Sequence, residues 1–196
     1  MKGVLLVFVF AATILSTANA QSETDDDKKK KRAEMFWIYG GPQYATLSEH
    51  DWKLGGYGGV LLQLAGLSAA SALWFGPEYS CQGPSFKGTG GADIKTNLTY
   101  LNFPILYQYM MLSGLYLHGG LRPGILISAK QKYNDNSIDV KNSFKSFDLG
   151  IPFGIGYQSK KKWGVGLNIV PGILDASEGA GSHRNMTIGA QFNFRL

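Results

Sequence analysis

Few side chains in this chain of 196 residues are of the types that carry out acid–base, nucleophilic or metal chemistry. The three histidines, His50, His118 and His183, are far apart in the sequence. A hydrolase would need a serine or another nucleophile beside a histidine that an acid orients, and no motif marks such a set. We therefore predict no catalytic residue, no metal site and no cofactor, and we interpret His118 as a packing residue of the interior.

Cysteine usage and charge exclude further classes. The single cysteine, Cys81, rules out an internal disulfide framework and a metal site built from several cysteines. It is predicted to act as a small apolar residue on an outward face. The formal net charge is +5, but no basic stripe with interleaved aromatic residues is present, so nucleic-acid binding is not expected.

Four charged residues fall inside predicted strands on the polar side of each: Glu78, Arg122, Asp148 and, near the end of the last strand, Arg195. Counting from the strand ends places the first three at comparable heights. One arginine between two carboxylates would compensate charge that is otherwise unfavourable to bury. We therefore predict an ion network inside the fold. It would either fill and rigidify the interior or form part of a gate or ligand site.

The elements that position these residues show a period of two. From residue 186 to 196 every even position is apolar and every odd position is polar or glycine, which is typical of a β-strand with two different faces. In residues 147–157 the bulky side chains occupy the odd positions, and mainly small or amide residues the even ones. Small and amide residues suit a crowded barrel lumen, whereas a large aliphatic and aromatic face suits lipid.

The same pattern predicts eight strands, each long enough to supply the roughly 9 to 11 residues that a tilted membrane-spanning strand needs. The predicted fold class is all-β, an eight-stranded antiparallel up-and-down transmembrane β-barrel. The predicted strands are 35–45, 56–65, 72–82, 95–110, 114–129, 144–158, 162–173 and 184–196.

The connections between these strands alternate in length. Three are short (66–71, 111–113 and 159–161), and four are long and rich in small and polar residues (46–55, 83–94, 130–143 and 174–183). Short periplasmic turns and long outer loops are typical of bacterial outer-membrane barrels. Outward-facing aromatic residues near the short turns predict a girdle at the membrane interface: Tyr107, Tyr109, Tyr157 and Trp163.

The amino terminus is predicted to direct export. Residues 1–20 contain Lys2, an apolar stretch and the small-residue site Ala18-Asn19-Ala20, as in a cleaved signal peptide. Residues 21–34 carry an acidic block and then a basic block, which favours a disordered periplasmic leader, with contact to anionic headgroups as the alternative. The barrel is predicted over 35–196, in the outer membrane of a Gram-negative bacterium.

Several strand motifs resemble the PorT-like outer-membrane β-barrel family of Bacteroidetes. The resemblance covers nearly all of 35–196 and implies a barrel without assigned chemistry. A few members of that family are tied to secretion of proteins across the outer membrane. The motifs are Leu101-Asn102-Phe103-Pro104-Ile105-Leu106, Leu117-His118-Gly119-Gly120-Leu121-Arg122-Pro123-Gly124, Leu126-Ile127-Ser128-Ala129-Lys130, Gly76-Pro77-Glu78-Tyr79-Ser80, Phe147-Asp148-Leu149-Gly150 and Gly154-Ile155-Gly156-Tyr157.

The last strand is also similar to the assembly signal that the outer-membrane insertion machinery reads. Thr187, Gly189, Phe192 and Phe194 occupy the places of that signal, although the chain continues with Arg195 and Leu196 instead of stopping at an aromatic residue. The insertion machinery and membrane lipids are therefore the expected partners. A protein or small ligand at the outer loops is left open.

Three functions are compatible with these observations. The first is a non-enzymatic barrel with a filled lumen and a structural or surface-interaction role through four outer loops. The second is a narrow channel or an accessory to protein secretion, in which Glu78, Arg122 and Asp148 line a path. The third is a soluble calycin-like ligand carrier, which requires the bulky apolar face to point inward.

Overall fold

The computed structural model describes residues 36–47, 51–87, 93–133, 136–177 and 183–196. The predicted signal peptide and leader lie outside the described residues. No helix in these ranges is both long and apolar enough to cross a bilayer. The strands are β1 (Phe36–Leu47), β2 (Lys53–Ser68), β3 (Ser71–Phe75), β4 (Glu78–Gln82), β5 (Ser85–Lys87), β6 (Asp93–Asn102), β7 (Ile105–Met110), β8 (Leu115–Tyr133), β9 (Asn136–Asp139), β10 (Phe147–Gly150), β11 (Phe153–Gln158), β12 (Trp163–Asp175) and β13 (Arg184–Arg195), with 3-10 turns at Leu112–Gly114 and Lys141–Ser143.

The described strands form one antiparallel sheet whose pairings close into a ring. Consecutive strands group into eight passes of the chain: β1, β2, β3 to β5, β6 to β7, β8, β9 to β11, β12 and β13. Each pass pairs with the next, and β1 pairs with both β2 and β13. The all-β, antiparallel, up-and-down prediction is confirmed, and the fold is barrel-like.

Prolines explain why three of these passes are divided. The breaks fall at Pro77 between β3 and β4, at Pro104 between β6 and β7, and at Pro152 between β10 and β11. Proline has no backbone N–H to donate to a ladder. Its carbonyl still accepts, however: Val60 donates to the carbonyl of Pro77 at 3.0 Å and Gly120 to that of Pro152 at 3.1 Å. The divided passes therefore stay bonded to their neighbours.

The two faces of the sheet have opposite character. Bulky apolar side chains point outward: Phe192 is 62% exposed and Leu167 61%. The residues that alternate with them are buried, including Asn193 and Asn168. In residues 147–157, where the sequence predicted two different faces, Phe153 and Ile155 are exposed and Asp148 is buried. The predicted orientation is confirmed in these segments, although bulky side chains such as Trp37 and Trp74 are also buried inside.

The two ends of the sheet differ in the length of their connections. At the short-turn end, residues 69–70, 111–114 and 159–162 join successive passes. Ser113, Gly114 and Lys162 take positive φ values of 70°, 89° and 75° there, as tight turns require. At the opposite, long-loop end, the connections include 48–52, 88–92 and 176–183.

The predicted long loops at 130–143 and 83–94 were wrong in part, because strands continue into both. The strand β8 extends to Tyr133 and forms a hairpin with β9, and β5 pairs with the start of β6. Strands were predicted where apolar residues alternate along one face. A hairpin beyond the apolar belt is held by backbone hydrogen bonds and needs no apolar face, so this criterion does not detect it.

The close approach of the Ile105 backbone to Gly120 allows a test of the packing between neighbouring strands. A Cβ atom on Gly120 would lie 1.9 Å from the carbonyl oxygen of Ile105, whereas one on Gly58 would meet its nearest atom at 3.6 Å. We expect Gly120→Ala to lower the free energy of unfolding by about 1 to 3 kcal/mol through overpacking. Gly58→Ala is the matched control and should change it little. Urea unfolding in detergent micelles measures both, and equal effects would contradict the assigned contact.

Candidate functional site

An aromatic cluster fills the lumen at the short-turn end. Trp37 packs on Trp74 with ring centroids 4.6 Å apart and on Tyr116 at 6.3 Å. The guanidinium of Arg195 lies 5.6 Å from the ring centre of Trp37, a cation–π distance. Leu61 and Leu106 belong to the same buried group. Because these side chains are buried, packed rings occupy the interior at this end.

A polar layer centred on Glu78 follows toward the long-loop end. The Tyr39 hydroxyl donates to Oε2 of Glu78 at 2.9 Å, and the Asn102 amide donates to Oε1 at 2.8 Å. Nη1 of Arg122 lies 3.4 Å from the same Oε1 and forms a buried ion pair. The carboxylate of Glu78 thus has three donors, which is what a buried charge needs.

Asp148 is bound by different groups. The Asn185 amide donates to Oδ2 of Asp148 at 2.7 Å, and the backbone N–H of Leu149 donates to Oδ1 at 2.9 Å. The same Asn185 amide reaches the Tyr100 hydroxyl at 3.3 Å. Within the described ranges, Arg122 pairs with Glu78 and not with Asp148. The structure thus brings together two members of the predicted three-residue network and gives the third an amide partner.

Sheet register explains why these groups share one level. Glu78 lies opposite Asn102, Asn102 opposite Gly124, and Gly124 opposite Asp148. A Cβ atom on Gly124 would lie 2.3 Å from Oδ1 of Asn102. The absence of a side chain at Gly124 therefore lets the amide of Asn102 lie within the polar layer.

Beyond the polar layer, a second apolar cluster narrows the lumen toward the long-loop end. Its buried members include Leu98, Tyr100 and Leu126, and Phe144 packs against it. Above it a cavity of about 250 Å³ opens at the mouth. The cavity is lined by Leu47, Pro84, Thr96, Gln131, Val140, Ser143, Phe144, Ser177 and His183.

Buried amide side chains form a second set of interior contacts that the sequence analysis did not single out. The Asn168 amide donates to the Tyr57 hydroxyl at 2.7 Å, and the Asn193 amide donates to that of Tyr116 at 3.0 Å. Gln43 donates to the carbonyl of Cys81 at 3.1 Å. Their inward parity was visible in the sequence, but their partners lie in distant strands and required the register.

The other predicted sites fall on the faces expected for them. Tyr107, Tyr109, Tyr157 and Trp163 are all exposed on the outer face near the short-turn end, and the rings of Tyr157 and Trp163 lie 6.3 Å apart. In β13, Phe192 and Phe194 point outward, whereas Thr187 and Gly189 are buried.

The remaining single-residue predictions concern His118, Cys81 and metals. His118 stacks on Tyr116 at 5.9 Å, as expected of a packing residue, and Cys81 is free and exposed. In the ranges that the structure describes, no three His, Cys, Asp or Glu side chains are grouped to hold a metal ion.

A family model places the chain among known proteins. The model of the outer membrane protein beta-barrel domain matches residues 19–178, so the chain belongs to this family of outer-membrane β-barrels. A search of curated proteins finds no significant match.

One solved structure shares this fold, and two others show a weaker likeness. Neisserial surface protein A is similar at a TM-score of 0.59 and 14% identity, over 82% of this chain and 97% of that protein. This likeness concerns the fold alone. Ail of Yersinia pestis, crystallised with the heparin analogue sucrose octasulfate, has a TM-score of 0.48 and 12% identity, over 82% of this chain and 97% of Ail. OprG of Pseudomonas aeruginosa has 0.43 and 15%, over 84% of this chain and 98% of OprG.

The ion pair can be tested by removing one charge and then both. Arg122→Met leaves the buried carboxylate of Glu78 without its cation, so we expect a loss of about 3 to 5 kcal/mol in the free energy of unfolding. The double variant Glu78→Gln with Arg122→Met removes both charges and should recover most of this loss. Urea unfolding of the three proteins in micelles gives the comparison. A double variant as unstable as Arg122→Met would show that the pair does not govern this layer.

Proposed function

We propose that this protein is an eight-stranded transmembrane β-barrel with a filled lumen, non-enzymatic, with a structural or surface-interaction role. The observation that carries the proposal is the inverted distribution of side chains: bulky apolar residues cover the outside, and amides and an ion pair lie within. An apolar belt outside a polar interior suits a wall surrounded by hydrocarbon. A soluble calycin-like carrier would need the reverse arrangement.

The orientation proposed for the barrel puts the short-turn end in the periplasm. Exposed Tyr107, Tyr109, Tyr157 and Trp163 near this end suit an interfacial girdle. The alternation of short and long connections supports the same orientation. In this proposal residues 1–20 are a cleaved signal peptide, and residues 21–34 form a charged leader on the periplasmic side.

Two finer assignments belong to the same proposal. The strand motifs quoted above support membership of the PorT-like group of Bacteroidetes. Several of these motifs include residues of the polar layer, such as Glu78, Arg122 and Asp148. In β13, Phe192 and Phe194 point outward, whereas Thr187 and Gly189 point inward. In this proposal the insertion machinery reads the two aromatic residues during assembly, before β13 pairs with β1.

We place recognition at the long-loop end. Both apolar clusters and the polar layer fill the interior, which leaves little room for a substrate path. The hairpin of β8 and β9 and the mouth cavity offer side chains of several types on a rigid scaffold, where binding residues usually concentrate. A protein or small ligand at this end is the proposed partner.

Membrane embedding can be tested with a charge on the outer face. Leu167→Lys should cost about 2 to 4 kcal/mol if this position faces the bilayer centre and should reduce the amount of protein in the outer-membrane fraction. Leu174→Lys, near the long-loop end of β12, is the matched control and should be tolerated. Gel mobility with and without heating reports the folded barrel. Full tolerance of Leu167→Lys, with wild-type protein in the aqueous fraction, would refute the proposal.

A narrow channel is the second candidate, favoured by the charged pair inside the wall. In this function Arg122 would stand in the conducting path, so Arg122→Ala should raise the single-channel conductance or change its ion selectivity. With a filled lumen we expect no conductance steps from the wild type in planar bilayers. Steps from the wild type that Arg122→Ala alters would favour the channel, whereas unchanged conductance would remove the gating role.

A further inference from the structure

One row of the sheet near the long-loop end brings two lysines together. Register across four strands places Ser85 of β5 opposite Lys95 of β6, Lys95 opposite Lys132 of β8, and Lys132 opposite Ser137 of β9. Directly opposite residues of an antiparallel pair share a face and lie within contact distance. Two lysines on neighbouring strands therefore lie between two serines in this row, and Asp51 lies opposite Ser85 at its end.

A neighbouring row shows that this arrangement is unusual for the region. Two residues along the strands toward the short-turn end, on the same face, Lys130 lies opposite Asp139. That lysine thus has an acidic residue across from it. Like charges directly opposite destabilise a sheet, and in the described strand pairings Lys95 with Lys132 is the one such pair. An anion between them would convert the repulsion into attraction.

A third cation lies close to this row. Nζ of Lys53 donates to the carbonyl oxygen of Thr96 at 2.9 Å and to the side-chain oxygen of Asn97. Thr96 and Asn97 directly follow Lys95 in β6. The ammonium of Lys53 is thereby held beside the row and is half-buried. It adds positive charge that the fold positions through two hydrogen bonds.

The row points outward, just above the apolar belt. Lys95 and Lys132 are exposed, whereas the adjacent Thr96 is buried and Gln131 lines the mouth cavity. Further down the same outer face, Leu101 lies opposite Ile125, and Ile125 and Ile127 are exposed. The surface changes from apolar to basic within a few residues, as at the boundary between hydrocarbon and headgroups.

We propose that Lys95, Lys132 and Lys53, with Ser85 and Ser137, bind the phosphate of an anionic lipid headgroup in the outer leaflet. The inference rests on the proposed function, because it requires Ile125 and Ile127 to face acyl chains. Ammonium and hydroxyl groups donate hydrogen bonds to phosphate oxygens. The apolar surface beneath them would take the chains of the same lipid, so a phosphorylated glycolipid fits both halves of the surface. An acidic protein segment would contact the lysines but would leave the apolar surface around Ile125 and Ile127 without a partner.

The test uses the full chain, purified from membranes in a neutral detergent. The probe is a diphosphorylated, acylated disaccharide, compared with its dephosphorylated form, inorganic phosphate and a polyglutamate peptide. Retention is measured by native mass spectrometry across a salt series. Lys95→Gln with Lys132→Gln should weaken glycolipid binding by roughly 5-fold per lysine, and so roughly 25-fold together. The control pair, Lys160→Gln with Lys161→Gln at the short-turn end, should leave binding unchanged.

A second variant separates binding from folding. Lys132→Glu places opposite charges across from each other, so it should raise the urea midpoint in lipid-free micelles while abolishing glycolipid binding. Retained binding by Lys132→Glu or by the double glutamine variant would overturn the inference. Equal affinity for the dephosphorylated lipid, free phosphate or polyglutamate would also overturn it. Absence of a heat-dependent mobility shift in the wild type would instead refute the proposed barrel, so the two failures are distinguishable.

Discussion

Closure of the sheet is the constraint on which the rest of this structure depends. A wall in hydrocarbon can satisfy its backbone groups only within itself, and among the described strands the pairing of β1 with both β2 and β13 closes the ring. Prolines interrupt the passes, yet their carbonyls still accept from neighbouring strands. Gly120 and Gly76 allow the backbone of adjacent strands to approach where a side chain would collide. The passes can therefore bend without opening the ladder.

Closure also decides what the interior must contain. Many polar side chains on the inner face are buried, and a buried polar group is destabilising without a hydrogen-bond partner. Amides and tyrosine hydroxyls supply many of these partners, as at Asn168 with Tyr57 and Asn193 with Tyr116. The ion pair of Arg122 and Glu78 lies between two apolar clusters. Packing of this kind favours a rigid support for the long-loop end over a passage through it.

The sequence predicted the faces of the strands because the period of two is a local property. Inward placement of Glu78, Arg122 and Asp148 and outward placement of Phe192 both follow from it. The partner of Asp148 could not be predicted, since Asn185 lies 37 residues away and meets it only through the register around the ring. The aromatic cluster of Trp37 and Trp74 was not predicted for a different reason: only outward-facing aromatic residues were considered, although Trp37 has the same parity as the inward Tyr39 and Gln43.

The residues at which the loops begin and end could not be predicted from the sequence pattern either, and the length of β8 is the clearest case. This strand has 19 residues, about twice the number that a tilted span of the bilayer requires, and β9 supports its far end. In the orientation proposed above, this hairpin would extend the wall beyond the apolar belt. A short epitope inserted between β8 and β9 would then be accessible to antibodies on intact cells.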